Sequence, residues 1–230
     1  MLKLEDCIIR NGAFELSADL SVKESTRVAI IGPSGAGKST LIEAIAGFLP
    51  VATGKITWKG TDISHAPPGS RPLTMLFQED NLFPHLSVAQ NVGLGISPKL
   101  RLSSADQEAI KQALDRVGLS GMDTRKPSEL SGGQRSRAAL ARVLVQRRDL
   151  LLLDEPFAAL GPALRAEMLD LVQELCEETG ATLLMISHAP EDARRIAGEC
   201  ILVAEGEAQP PRETMALLDN PPRALRDYLG

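Results

Sequence analysis

Apolar and polar positions alternate along the first thirty residues, as LKLEDCII and then AFELSADLSV, before closing into the unbroken apolar run Val28 to Ile31. Period-two alternation predicts strands with one buried face, and a continuous apolar run that ends in a turn predicts a strand buried on both. A glycine-rich turn follows at Gly32, and TLIEAIAGFL then sets Leu41, Ile45 and Leu49 on one helical face. The opening is therefore strands, a loop and a helix. Thr53-Gly54 leads into KITWKG, a short hairpin, and SHAPPGSRP is a proline-rich loop before the predicted strand LTMLFQ, Leu73 to Gln78.

Between about Leu86 and Pro127 the period becomes helical. Ser104 with Gln107 forms a candidate capping box, and Ile110, Leu114 and Val117 follow at i, i+4 and i+7. This stretch is expected to be a separate helical lobe. After it come a predicted helix from Gln134 to Gln146, the strand LLLLD ending at Asp154, a helix from Pro162 to Glu178 and the strand ATLLMIS. The 162–178 helix carries Leu164, Met168, Leu171, Val172 and Leu175 as one stripe, with Pro162 at its start and Gly180 beyond its end. Strands alternating with helices predict a parallel sheet covered on both faces. CILVAEG is a last strand, and proline pairs at 210–211 and 221–222 bracket a short helical tail.

Length, charge and cysteine content narrow the picture. A chain of 230 residues can bury one substantial core. Its 25 basic and 30 acidic residues leave a net charge of -5, so nothing draws it toward nucleic acid, and no nucleic-acid partner is expected. Cys7, Cys176 and Cys200 lie far apart and are odd in number, which predicts neither a disulfide framework nor a zinc site. Acidic residues interrupt the first ten positions where a signal peptide needs an apolar stretch, and no run approaches a bilayer span. If the protein works at a membrane, another chain must hold it there.

The chemistry begins at GPSGAGKS. Gly32, Pro33, Ser34, Gly35, Ala36, Gly37, Lys38 and Ser39 fit G-x-x-x-x-G-K-[ST], between a predicted strand and a predicted helix opening at Thr40. Glycines let such a loop wrap a phosphate, while backbone N–H groups and the helix N-terminus supply positive potential. Lys38 then pairs with the β and γ phosphates and the Ser39 hydroxyl ligates Mg²⁺. Downstream, the buried strand LLLLD presents Asp154 and Glu155 at its carboxyl end: Asp154 for the Mg²⁺ shell, Glu155 to orient and deprotonate water.

Just ahead of that strand, Leu130 to Gln134 reads LSGGQ. With the phosphate loop and the Asp-Glu strand end, in this order, the chain resembles the ATP-binding subunits of ATP-binding-cassette (ABC) transporters from Leu2 to about Gly206. The resemblance implies an α/β fold: a P-loop NTPase (RecA-like) core with an N-terminal antiparallel β subdomain and an inserted helical signature subdomain. The corresponding boundaries are about 1–85 and 137–206 for the core, 86–136 for the helical part and 207–230 for the tail. It also implies a head-to-tail dimer sandwiching two ATP molecules, Ser131, Gly132, Gly133 and Gln134 of one copy facing the nucleotide held by the other. Gln78 matches the family's Q-loop glutamine, which touches Mg²⁺ or water, and His188 its switch histidine at the γ-phosphate. His65 and His85 have no such match and are expected to be structural.

Two positions depart from the family pattern. Gly161 stands where the family usually has the aspartate of its D-loop, and no clear aromatic residue replaces the usual adenine-stacking side chain, for which Phe14 and Arg10 are the candidates. The lack of a membrane segment resembles importers more than exporters. Among importers, Arg71 to Gly95, PPGSRP and MISHAPEDARRIA resemble the ATPases of thiamine import; iron(III), polyamine, sulfate and molybdate importers use similar cassettes. The partners so implied are transmembrane permease subunits, contacted through an apolar surface of Leu82, Phe83, Leu86 and Val88, and indirectly a periplasmic solute-binding protein. The place so implied is peripheral, on the cytoplasmic face of the membrane. A non-transport cassette, in DNA repair or translation, fits less well, since those architectures need paired cassettes or a long coiled coil.

Overall fold

The computed structural model describes residues 1–77, 81–158 and 160–229. Among these, strands β1 (Leu2–Asn11), β2 (Phe14–Val22) and β3 (Arg27–Ile31) lead into helix α1 (Lys38–Ala46), and β4 (Val51–Trp58), β5 (Thr61–Asp62) and β6 (Leu73–Leu76) follow. Next come α2 (Val88–Gly93), α3 (Ser104–Arg116), α4 (Gly132–Gln146), β7 (Leu150–Asp154), α5 (Pro162–Thr179) and β8 (Thr182–Ile186). The chain finishes with α6 (Pro190–Ile196), β9 (Glu199–Ala204), β10 (Glu207–Ala208), β11 (Arg212–Glu213), α7 (Thr214–Asp219) and α8 (Arg223–Leu229).

Strand order runs β5-β4-β1-β2-β10-β9-β3-β8-β7-β6, with β11 added to β9. The β9-β3-β8-β7-β6 part is parallel throughout, and the β5-β4-β1-β2 part is antiparallel. Two-residue β10 joins them, parallel to β2 and antiparallel to β9. The parallel strands read as continuous apolar runs because both their faces are covered. Ala29, Ile31, Leu151, Leu153, Leu183, Met185 and Leu202 point to one core, shared with α3, α4 and α5. Their neighbours Val28, Ile30, Leu150, Leu152, Leu184, Ile186 and Val203 point to the other, where Leu41, Ile42 and Ile45 of α1 meet β1 and β2. Helix α1 is thus packed between the two parts of the sheet, with the glycine-rich loop at its N-terminal end.

Three local expectations are corrected. The capping box of α3 is Ser103 with Asp106, one residue before the predicted Ser104–Gln107 pair: Ser103 is the extended N-cap, and Asp106 accepts its N–H at 2.8 Å. Helix α4 begins at Gly132 rather than Gln134, since Ser131 caps it despite the two glycines. Val88, expected on an apolar surface, is fully buried in the core, whereas Phe83 is 48% exposed. Helix α5 ends as predicted at Gly180, which adopts the left-handed conformation of a C-cap. All three cysteines are free and buried.

Candidate nucleotide site

Because β3, β8 and β7 are parallel neighbours, the segments following them emerge at one edge of the sheet, where α/β folds bind ligands. The segment after β3 is the glycine-rich loop. A Cβ on Gly32 would lie 2.0 Å from the Val203 carbonyl oxygen, so only glycine lets the loop leave β3 against β9. Gly37 has φ 103° and ends the loop as the N-cap of α1, and a Cβ there would meet the Phe14 ring at 2.7 Å. With no side-chain cap and no acidic residue in the first turn, the leading amides of α1 stand ready for an anion.

Lys38 is buried, and its Nζ donates to the carbonyls of Gly32 at 2.8 Å and Pro33 at 2.9 Å. Burial pushes its pKa down, opposed by the negative charges of Glu155 and Asp154. Asp154, at the end of β7, accepts a hydrogen bond from Ser39, yet its Oδ1 is buried with no partner. Desolvation raises the Asp154 pKa, against the lowering effect of the Ser39 bond. A hydroxyl beside a carboxylate with an unpartnered oxygen is a donor set that suits Mg²⁺, which takes few protein ligands and keeps phosphate and water for the rest.

Glu155 follows with φ 46°, a left-handed conformation that a non-glycine residue adopts only when its surroundings enforce it. Its N–H donates to the Ile186 carbonyl, tying the end of β7 to the end of β8. Two residues beyond β8, His188 sets Nε2 2.5 Å from Glu155 Oε1. Phe14, Ser34, Gly35, Gly37, Lys38, Ser39, Thr40, Glu155 and His188, with Asn11, line one cleft of about 370 Å³. It sets an ammonium, a carboxylate and an imidazole around one space, so it can take a polyphosphate and polarise water beside it.

Residues 17–158 match the ABC transporter family. The chain is also 64% identical to the thiamine import ATP-binding protein ThiQ of Ruegeria sp. (strain TM1040), over all of both chains. It belongs to the ABC transporter family. The ThiQ protein of Cereibacter sphaeroides is 58% identical, again over both full lengths. Among solved structures, a dimeric ABC cassette bound to ADP and Pi aligns with 93% of this chain and 99% of its own at TM-score 0.82 and 27% identity. A nucleotide-free cassette aligns with 100% and 99% at TM-score 0.87 and 25% identity. As an ABC cassette, the chain binds ATP.

The site residues anticipated from sequence thus divide into groups. Those of the phosphate loop, with Thr40, Asp154, Glu155 and His188, gather at one edge of the sheet. Ser131 to Gln134 do not line this cleft; they begin α4, where Ser131 Oγ accepts from Gln134 N at 3.3 Å and Gln134 Oε1 accepts from Ser131 N at 2.9 Å. Gln78 lies outside the described residues. Of the two adenine candidates, Phe14 lines the cleft, whereas Arg10 pairs with Glu15 at 2.8 Å. Asn11 was not anticipated, although the two-residue turn that follows it, with Gly12 at φ 61°, has the glycine signal of a tight hairpin.

Proposed function

We propose that this chain is the ATP-hydrolysing subunit of a bacterial thiamine importer, working peripherally on the cytoplasmic face of the membrane as a dimer bound to permease subunits. The observation that carries the ATPase reading is the convergence of Lys38, Asp154, Glu155 and His188 at one sheet edge. The solute is supported by full-length identity to proteins named for thiamine import. Thiamine phosphates belong to the same solute class. No residue of the nucleotide cleft would recognise thiamine, which falls to the permease and a periplasmic binding protein.

Lys38 and the leading amides of α1 bind the β and γ phosphates, Lys38 exchanging its loop carbonyls for phosphate oxygens. Ser39, Asp154 and Gln78 would hold Mg²⁺, which when bound supplies charge neutralisation at the phosphates. Glu155 orients water for in-line attack and accepts its proton, and His188, within hydrogen-bond distance of that carboxylate, contacts the γ-phosphate. Ser131, Gly132, Gly133 and Gln134 of the other copy close the site from outside, which accounts for a helix N-terminus exposed away from its own cleft. In this reading 1–85 and 137–206 form the motor core, and 86–136 form the lobe that receives the permease. A groove of about 530 Å³ between α2 and α3, lined by Ala89, Leu102, Ile110 and Leu114, gives that lobe an apolar seat.

The test is ATPase activity of the chain reconstituted with its permease subunits and a solute-binding protein. Stimulation by thiamine, absent with iron(III) or polyamine, is the expected result. Activity that answers another solute refutes the thiamine assignment, and absence of ATPase activity with Mg²⁺ present refutes the motor. Glu155→Gln should retain ATP binding and stop turnover.

A further inference from the structure

Behind Glu155 and His188 lies a second, smaller cavity walled by Phe157, Ala158, Arg165, Ser187 and Asp192. Arg165 reaches into it from the first turn of α5. Its Nε donates to the Phe157 carbonyl at 3.3 Å and its Nη2 to the Ala158 carbonyl at 3.2 Å, while Nη1 lies 3.8 Å from Asp192 Oδ2. That same carboxylate oxygen accepts from the Ser187 hydroxyl at 2.6 Å, and Ser187 immediately precedes His188. One guanidinium therefore joins the backbone just after Glu155 to the side chain that fixes the residue just before His188. The ion pair is largely shielded, with side-chain exposures of 26% for Arg165 and 13% for Asp192, so its two charges attract more strongly than at an open surface.

The connected segments need such a tie. Glu155 holds a left-handed backbone that has to be enforced, and among the described residues the turn after it is closed by a long bond from Ala158 N to the Glu155 carbonyl at 3.3 Å and one from Leu160 N to the Phe157 carbonyl at 3.0 Å. Gly161, the N-cap of α5, brings no side-chain hydrogen bond that could anchor the turn from its far end. We propose that Arg165 is a positioning residue for ATP hydrolysis: by clamping the 157–158 carbonyls and, through Asp192, Ser187, it keeps the Glu155 carboxylate and the His188 imidazole in register. This rests on the reading of Glu155 as the group that activates water.

The experiment uses the full chain in the reconstituted transporter, comparing Arg165→Met, Arg165→Lys, Asp192→Asn and Glu155→Gln for kcat, KM, ATP affinity and melting temperature. Arg165→Met is expected to lower kcat roughly ten- to a hundredfold, as for displacement of a reacting group by a fraction of an ångström, with KM and ATP affinity within about twofold. Arg165→Lys, which can still pair with Asp192, should recover part of kcat. Adding Asp192→Asn to Arg165→Met should lower kcat by less than the product of the single effects. A kcat within about twofold of the unmodified chain in Arg165→Met overturns the proposal, as does a fall in ATP affinity matching that in kcat with no recovery by lysine. Should Arg165→Met fail to fold, Asp192→Asn carries the same kcat-against-KM test. If Glu155→Gln still turns over, the underlying reading fails; if it is inactive while Arg165→Met is fully active, only the present inference fails.

Discussion

Replacing Arg71 by methionine removes the donor that closes the far end of the phosphate-loop helix. Its side chain is almost wholly buried, and its guanidinium donates to the carbonyls of Ala44 at 2.8 Å, Ile45 at 2.6 Å, Ser64 at 3.1 Å and Ala66 at 2.8 Å. Two of these acceptors belong to the last turn of α1, where a cation also opposes the negative end of the helix dipole. Gly47 makes room for the group, since a Cβ there would lie 2.5 Å from Arg71 Nε. Burial lowers the Arg71 pKa, a sign of the desolvation that the carbonyl bonds must offset. A buried ion pair can be exchanged for apolar residues at little loss, but here the acceptors are backbone carbonyls that stay behind; Ala44 keeps the Gly47 N–H at 3.1 Å, and Ile45, Ser64 and Ala66 lose the guanidinium as donor. At about 1 kcal/mol or slightly more for each of these three acceptors, Arg71→Met should destabilise the fold by roughly 3–4 kcal/mol. For a chain of this size that corresponds to a fall in melting temperature of roughly 10 °C. Urea unfolding followed by the fluorescence of Trp58, the only tryptophan and itself buried, reads this directly. Arg71→Lys, with a point charge in place of a fork, should lie between the two. A loss below about 1 kcal/mol for Arg71→Met would refute the reasoning, because it would mean the carbonyls find other donors.

Three further outcomes are expected. Gly37→Ala sets a Cβ 2.7 Å from the Phe14 ring at a positive φ, and should weaken ATP binding roughly ten- to a hundredfold, partly restored by Phe14→Leu; unchanged affinity in a fluorescent-nucleotide titration would contradict it. Gly161→Asp adds an N-cap to α5 in open space and should raise stability by about 0.5 kcal/mol, with greater cooperativity of ATP hydrolysis; an unchanged Hill coefficient would make the glycine silent for coupling. Asp154→Asn removes a buried, partly unpartnered charge, so the nucleotide-free protein should gain about 1 kcal/mol while hydrolysis is lost; a lower melting temperature at neutral pH would argue against the unpartnered oxygen.

What could be read in the sequence was whatever is contiguous. The phosphate loop, the LLLLD strand and the proline-to-glycine span of α5 each carry their signals within one continuous stretch of chain, and all three elements form where expected. Near misses came where two neighbouring residues compete for one role, as Ser103 and Ser104 do for the cap of α3. At α4 the predicted start at Gln134 falls two residues late, because the reciprocal Ser131–Gln134 bonds begin the helix at Gly132. What is assembled across the chain left no local trace. Arg165 meets Asp192 over an interval of 27 residues, and Arg71 reaches back to Ala44 over the same interval. Strand β10 is two residues long and has meaning only through the two strands it joins. Phe14, an adenine-stacking candidate from the sequence, serves in the fold as both core and cleft, its ring packed against the second core while it lines the site.

The bonds from Lys38 to its own loop bear on how fast the site can be filled. Left to itself, a lysine side chain samples many rotamers, and immobilising it on a ligand would consume on the order of 1.5–2 kcal/mol of the binding free energy. Here folding has already confined the ammonium between the Gly32 and Pro33 carbonyls, so an arriving phosphate meets an ordered cation. Association then becomes a swap of acceptors, with little of the search through disordered loop states that slows capture by flexible sites. Departure is eased by the same device, because the carbonyls stand ready to receive the ammonium as phosphate leaves. A motor that must refill and empty its site in every cycle gains turnover from such a latch, even where it gains nothing in affinity.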